Sequence, residues 1–246
     1  MTDLAALQRM NTQRWSHARP TRNFAAIAKR LTAAEARSRY QAVSARSGVP
    51  WPVIAVIHER ECSQDWTRSL AQGDSWDRVS VHVPAGRGPF KSWDDAALDA
   101  LNNCAPYAGR NRDWSIGALL TKLEEYNGLG YAARGVPSPY VWAGTDQYRS
   151  GKYVRDGVYD PNVIDSQPGC AGLLIAMKAL DPSITFSGAV QPASGATASE
   201  PATAKNAAPA PSTKSPSFKR PTPGSIGAAI VSVLATLLVL FKPKGK

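Results

Sequence analysis

The sequence predicts a mainly α-helical domain with a small β insertion, followed by a disordered linker and one C-terminal helix that spans a membrane. Three observations predict it. Apolar residues recur at helical spacing through much of the first 180 residues, valines alternate with polar residues at 79–83, and composition changes abruptly near Ser187.

Residues 1–30 read as a basic, irregular segment broken at Pro20. Thr32 followed by Glu35 has the form of a capping box, opening a helix that runs to about Arg46 and stops at Gly48. Pro50 and Pro52 suit the first turn of a second helix, which carries Val53, Ile54, Val56 and Ile57 and ends near Cys62. Within 73–91, Val79, Val81 and Val83 alternate with Ser80 and His82 as in a short strand, and Pro84, Gly86, Gly88 and Pro89 then mark a loop. Trp93 to Asn103 is expected to be a helix with Ser92 as N-cap. Trp114 to Tyr126 is another, with Ile116, Leu119, Leu120 and Leu123 on one face. Residues 127–168, rich in Gly, Pro and Tyr, read as ordered loops, and Ala171 to Leu180 as the last helix. The main domain is therefore placed at 31–186.

Residues 187–223 are dominated by Ala, Pro, Ser, Thr and Gly. Such a segment buries too little apolar surface to offset its ordering entropy, so it is expected to be a linker. Residues 224–241 then form an uncharged run of 18 residues, which reaches roughly 27 Å as a helix, near the hydrocarbon thickness of a bilayer. Lys214, Lys219 and Arg220 precede it, and Lys242, Lys244 and Lys246 follow in the basic tail 242–246, so the flanking charge leaves its orientation open.

The net charge of +10 divides into +7 over residues 1–48, −3 over 49–186 and +6 over 187–246. Basic flanks suit an anionic partner such as a lipid surface, a cell-wall polymer or nucleic acid. Zinc-finger spacing and RNA-binding aromatic signatures are absent, so nucleic acid is not expected. Cys62, Cys104 and Cys170 are too far apart for a CxxC site, and their odd number argues against a disulfide scaffold. They read as small buried hydrophobes. No apolar run follows the N-terminus, so no ordinary signal peptide is expected. His58 and His82 have no spacing that makes a metal site, and neither a metal nor another cofactor is expected.

The segment that could carry chemistry is the apolar turn Val53–Ile57 running into His58-Glu59-Arg60-Glu61-Cys62-Ser63. A carboxyl at the end of an apolar helix borders low-dielectric material, and desolvation raises its pKa. A carboxylic acid still protonated near neutral pH is what a glycosidic oxygen needs as its bond breaks. An exposed glutamate at a helix end would give the same local pattern.

The order of the motifs adds a resemblance. Ile57-His58-Glu59-Arg60-Glu61-Cys62-Ser63, then Gly73-Asp74, then His82-Val83-Pro84-Ala85-Gly86-Arg87 resembles a family of bacterial and phage lysozyme proteins. Ala97-Leu98-Asp99-Ala100-Leu101, Tyr126-Asn127-Gly128-Leu129-Gly130-Tyr131, Ser138-Pro139-Tyr140-Val141-Trp142 and Gly151-Lys152-Tyr153 extend it over about residues 45–180. The same pieces look like a shortened echo of soluble lytic transglycosylases and goose-type lysozymes. The resemblance implies a lysozyme-like domain, mainly α with a small β part forming one wall of a cleft. It implies cleavage of the β-1,4 bond between N-acetylmuramic acid and N-acetylglucosamine, as a muramidase or a lytic transglycosylase. Carried over by position, Glu61 is the general acid, and Tyr126-Asn127-Gly128 lines the glycan groove. Glu59 falls on a variable position and ranks second. Cys62 departs from the pattern, where serine is usual, and Ser63 is the neighbouring hydroxyl that could meet substrate. Asp74 is either the carboxylate that positions water or a turn residue. Tyr140, Trp142, Tyr148 and Tyr153 are dense for a loop region, and Tyr140 and Trp142 are the favoured sugar-stacking rings. The expected partners are peptidoglycan glycan strands and a lipid bilayer through 224–241, in a membrane-anchored protein acting on the bacterial cell wall. A phage lysis protein and a wall-remodelling enzyme both fit. A non-enzymatic wall-binding protein held at a membrane and a chitinase-like enzyme are the alternatives.

Overall fold

The sequence around Pro50 dictates the centre of the fold. In the computed structural model, which describes residues 2–187, Pro50 and Pro52 set the entry to helix α4 (Trp51–Cys62), and its residues from Pro52 to Arg60 are all buried. Its stretch Val53–Ile57 is apolar on every side, and such a segment must lie inside the protein. It ends where Ser63 turns left-handed (φ 54°) and its N–H reaches back to the Glu59 carbonyl at 2.9 Å. Helix α3 (Ala34–Ser47) leads into it through Gly48, whose φ of 74° suits a residue without Cβ.

Other helices close around α4. On one side α3 packs against both α4 and α5 (Trp93–Asn103), which starts at Ser92 with its Oγ accepting from the Asp95 amide. On another, α9 (Cys170–Leu180) packs on α4, on α2 (Ala25–Leu31) and on the single turn α8 (Pro139–Trp142). Helix α6 (Ile116–Asn127) packs on α8 and, on its far side, on α1 (Leu4–His17). A short turn, α7 (Gly130–Ala133), follows α6. Val53, Ile54, Ile57, Leu70, Trp93, Leu119, Leu120 and Trp142 join in one core, each burial of this kind contributing roughly 1.5–3 kcal/mol.

The expected fold class is overturned in its β part. The stretch 79–83 between α4 and α5 is not a strand. Val79, Val81 and Val83 are 54%, 78% and 54% exposed, whereas Ser80 is 5% exposed. The alternation is real, but its polar side faces inward. Ser80 closes a local loop instead of pairing in a sheet: its N–H donates to the Arg87 carbonyl and its Oγ to the Pro84 carbonyl. The expected lysozyme-like layout, with a β wall beside the cleft, is therefore not the architecture found. The sheet is an antiparallel pair, β1 (Lys152–Arg155) and β2 (Val158–Asp160), within the region read as loops. The rings of Tyr131, Tyr153 and Tyr159 meet edge to face beside it. Among the described residues no helix is long and apolar enough to cross a membrane. The expected span 224–241, the tail 242–246 and the linker beyond Ser187 lie outside the described residues.

The N-terminal segment is also corrected. Residues 1–30 are not irregular but supply α1, capped by the Asp3 side chain on the Ala6 amide, and α2. The domain therefore begins well before residue 31. Thr32 does not open a capping box, because its hydroxyl donates back to the Ala28 carbonyl at the end of α2. Helix α1 reaches α6 at Gly117, where any Cβ would run into Thr12 and the Gln8 carbonyl.

That contact holds a buried carboxyl. Asn11 donates to Thr121 at 3.2 Å, and Glu124, 1% exposed, lies one turn further along α6. Burial pushes the Glu124 carboxyl up to about 7 despite the nearby Asn11 and Arg14. A carboxyl raised by folding contributes its full stability below the unfolded value, near 4.5, and loses it as pH rises through about 7. Glu124→Gln is therefore expected to match the wild type at pH 4 and to exceed it by about 1–3 kcal/mol above pH 7 in urea unfolding. An equal offset at both pH values would show that Glu124 is ionised in the fold.

Candidate active site

The end of α4 presents Glu61. Helical geometry puts it on the face that carries Ile57 and His58, one turn further on where the helix ends, and the residue is half-buried. Its carboxyl Oε1 accepts the Tyr140 hydroxyl at 2.8 Å, which brings α8 onto the end of α4. Burial pushes this carboxyl up to about 7, against the opposing pull of the Tyr140 hydrogen bond and the Arg60 charge. The group thus keeps its proton in about half of the molecules at neutral pH and in nearly all of them at pH 5–6, with part of the residue open to solvent.

The neighbouring glutamate is built differently. Glu59 is buried and bound at 2.9 Å by Arg30, which also donates to the Ser63 carbonyl and to Gln64 Oε1. Burial raises its carboxyl, and the Arg30 charge and hydrogen bond oppose that rise. Glu59 therefore ties α2 to the last turn of α4 through Arg30. Ser63 is exposed and left-handed, and its carbonyl, not its side chain, makes the contact to Arg30. Cys62 turns its Sγ onto the His58 carbonyl at 3.5 Å. Burial pushes the thiol up to about 12, so it is no nucleophile.

The loop holding Gly73 and Asp74 crosses the end of α4. A Cβ on Gly73, whose φ is 70°, would sit 3.3 Å from the Glu61 carbonyl, so glycine permits the close approach. Asp74 faces the next loop: one oxygen accepts the amides of Val81 and His82, each at 2.9 Å, and the other meets His82 Nδ1 at 2.6 Å. Partial burial raises its carboxyl, but the amide and ring of His82 outweigh this and hold it below the usual range. Asp74 is an ionised staple for the 74–82 loop. Tyr126, on the last turn of α6, donates to the Leu70 carbonyl at 2.9 Å and feels the Glu61 charge. Asn127 closes α6 half-buried.

The structure thus brings Glu61, Tyr126 and Tyr140 together, with Gly73 alongside. Trp142 belongs elsewhere: its ring is fully buried in the core, so it is a packing residue and not a platform for sugar. Tyr148 is also buried, donating to the Gly151 carbonyl at 3.1 Å. His58 sits among Tyr40, Trp66 and Trp93, with Nδ1 2.9 Å from the Tyr40 hydroxyl and Nε2 3.1 Å from the Asp65 carbonyl. Burial lowers its pKa to about 4, so it stays neutral.

One polar group at the site was not legible in the sequence. Arg60, buried beside Glu61, pairs with buried Asp165 at 3.1 Å, and Asp165 in turn binds Lys152 at 2.8 Å. Among the described residues, no group of three or more His, Cys, Asp or Glu side chains could hold a metal ion. Chemically, the arrangement offers one proton donor, Glu61, in a mixed aromatic and polar setting. No protein-family model, no curated protein and no solved structure matches this chain.

Proposed function

We propose that the chain is a glycosidase that cleaves the β-1,4 bond between N-acetylmuramic acid and N-acetylglucosamine in peptidoglycan, with Glu61 as general acid. The observation that supports this reading is the Glu61 carboxyl itself, pushed up to about 7 at the end of a buried helix and oriented by the Tyr140 hydroxyl. In the reaction, Glu61 gives its proton to the glycosidic oxygen while the bond to C1 of the muramyl unit breaks. Its carboxylate then takes a proton from the oxygen that attacks C1. The motif order from Ile57 to Tyr153 supports the choice of a cell-wall glycan as substrate.

The attacking oxygen comes either from water or from the muramyl unit's own C6 hydroxyl. The state of Asp74 favours the second course. Three donors already occupy its carboxylate, out of roughly four acceptor positions, which leaves little with which to orient a water. Intramolecular attack conserves all atoms: the C6 oxygen bonds to C1, and its proton passes to Glu61.

Clearing of purified sacculi as a function of pH tests the acid. Glu61 is protonated below its midpoint, so turnover is expected to be full at pH 5–6 and to fall as pH rises through about 7, approaching tenfold per unit above it. A profile that stays flat up to pH 9, or no clearing at any pH, would contradict the reading.

A further inference from the structure

Two carboxyl groups lie near one buried guanidinium, and only one of them has it. The Arg60 side chain is 5% exposed, and among the described residues Arg60 is the one arginine in the buried set. Its guanidinium lies 4.7 Å from the centroid of the Tyr140 ring, the ring whose hydroxyl donates to Glu61. Its Nη2 donates to Asp165 at 3.1 Å and its Nη1 to the Pro168 carbonyl at 3.1 Å. Asp165 is held just as firmly. Lys152 Nζ and the Gln167 amide donate to its carboxylate, its own N–H donates to Tyr148, and its carbonyl accepts Arg22.

Glu61 has no such cage. Among the described residues its carboxyl receives one hydrogen bond, from Tyr140. The titratable groups that act on it are Arg60 and Cys62 from α4, Tyr126 from α6, Tyr140 from α8 and Cys170 from α9. Arg60 is the one cation among them.

We propose that Asp165 is a positioning residue for Glu61: by pinning the Arg60 guanidinium in a buried ion pair against the Tyr140 ring, it denies that cation to Glu61 and so lets Glu61 keep its proton. A guanidinium already matched by a carboxylate exerts a weak net field on the next carboxyl, and an unmatched one in the same place exerts a strong field. The consequence for turnover rests on the reading of Glu61 as general acid; the electrostatic claim does not.

The test is an NMR titration of the Glu61 side-chain carboxyl in the full chain. Asp165→Asn keeps the shape of the side chain and removes its charge, so Arg60 is freed to favour the Glu61 carboxylate. The Glu61 midpoint is expected to fall by roughly one pH unit. Arg60→Met removes the cation and leaves Asp165 with Lys152, so the midpoint is expected to rise by a similar amount. Opposite signs are the signature, because general loosening of the site would move both variants the same way. An unchanged or raised midpoint in Asp165→Asn overturns the proposal. If that variant fails to fold, an unchanged or lowered midpoint in Arg60→Met overturns it alone. The limb of sacculus clearing above neutral pH is expected to follow each midpoint. A wild type that titrates as described but never cleaves would sink the glycosidase reading while leaving this one intact.

Discussion

Glu61→Gln is expected to lower cleavage of purified sacculi by on the order of 100- to 10,000-fold, the usual loss when a general acid is removed. The amide has the shape of the acid and can still accept the Tyr140 hydroxyl that Glu61 accepts at 2.8 Å. The fold should therefore survive, with a melting temperature no lower than that of the wild type at pH 8, where an ionised Glu61 would be desolvated. Glu59→Gln is the matched control. That side chain is bound to Arg30 at 2.9 Å, so its loss weakens a contact between α2 and the last turn of α4. Its activity should stay within a few-fold of the wild type. The reverse pattern, with Glu59→Gln inactive and Glu61→Gln near normal, would move the acid to the other glutamate.

Trp142→Ala should act on stability and not on sugar recognition. The ring is fully buried among core residues, and truncating a buried tryptophan costs about 3–5 kcal/mol. For a domain of this size that lowers the melting temperature by roughly 6–20 °C. Thermal unfolding followed by circular dichroism measures it. An unchanged melting temperature together with weakened binding to glycan strands would place the ring at the surface of the site.

How much of this was legible in the sequence depends on how local the cause is. Helices α4, α5 and α9 fall close to where Pro50, Pro52, Ser92 and the apolar run before Leu180 put them, because proline entry and N-capping act within a turn. Helix α1 was hidden. Of its residues only Leu7 and Asn11 are buried, so it shows no apolar stripe, and its packing on α6 depends on Gly117, which lies a hundred residues on. The valines at 79–83 misled for a related reason. Alternation reports two faces, but it does not say that the apolar one is covered. Here Ser80 is satisfied within its own loop by Pro84 and Arg87, so the chain turns its hydroxyl inward without a partner strand.

The site divides in the same way. Glu61 was legible because its desolvation follows from the apolar stretch Val53–Ile57 that ends one turn before it. Its contact with Tyr140 spans 79 positions, and only the order of motifs pointed to both. The Arg60–Asp165 pair spans 105 positions, and neither residue carries a local pattern that announces it. Asp74 looked like a candidate for water positioning, yet whether a carboxylate is free or already occupied depends on the donors around it, here Val81 and His82.

The central claim is that Glu61 drives cleavage of the glycan backbone of peptidoglycan. Mass spectrometry of the fragments released from purified sacculi tests it most directly, with wild type and Glu61→Gln side by side. The expected result is a set of muropeptides newly ended at C1 of N-acetylmuramic acid, mainly as the 1,6-anhydro form, released by the wild type and absent with the variant. Fragments with N-acetylglucosamine at the new reducing end, fragments cut in the peptide, or release that persists in Glu61→Gln would contradict it.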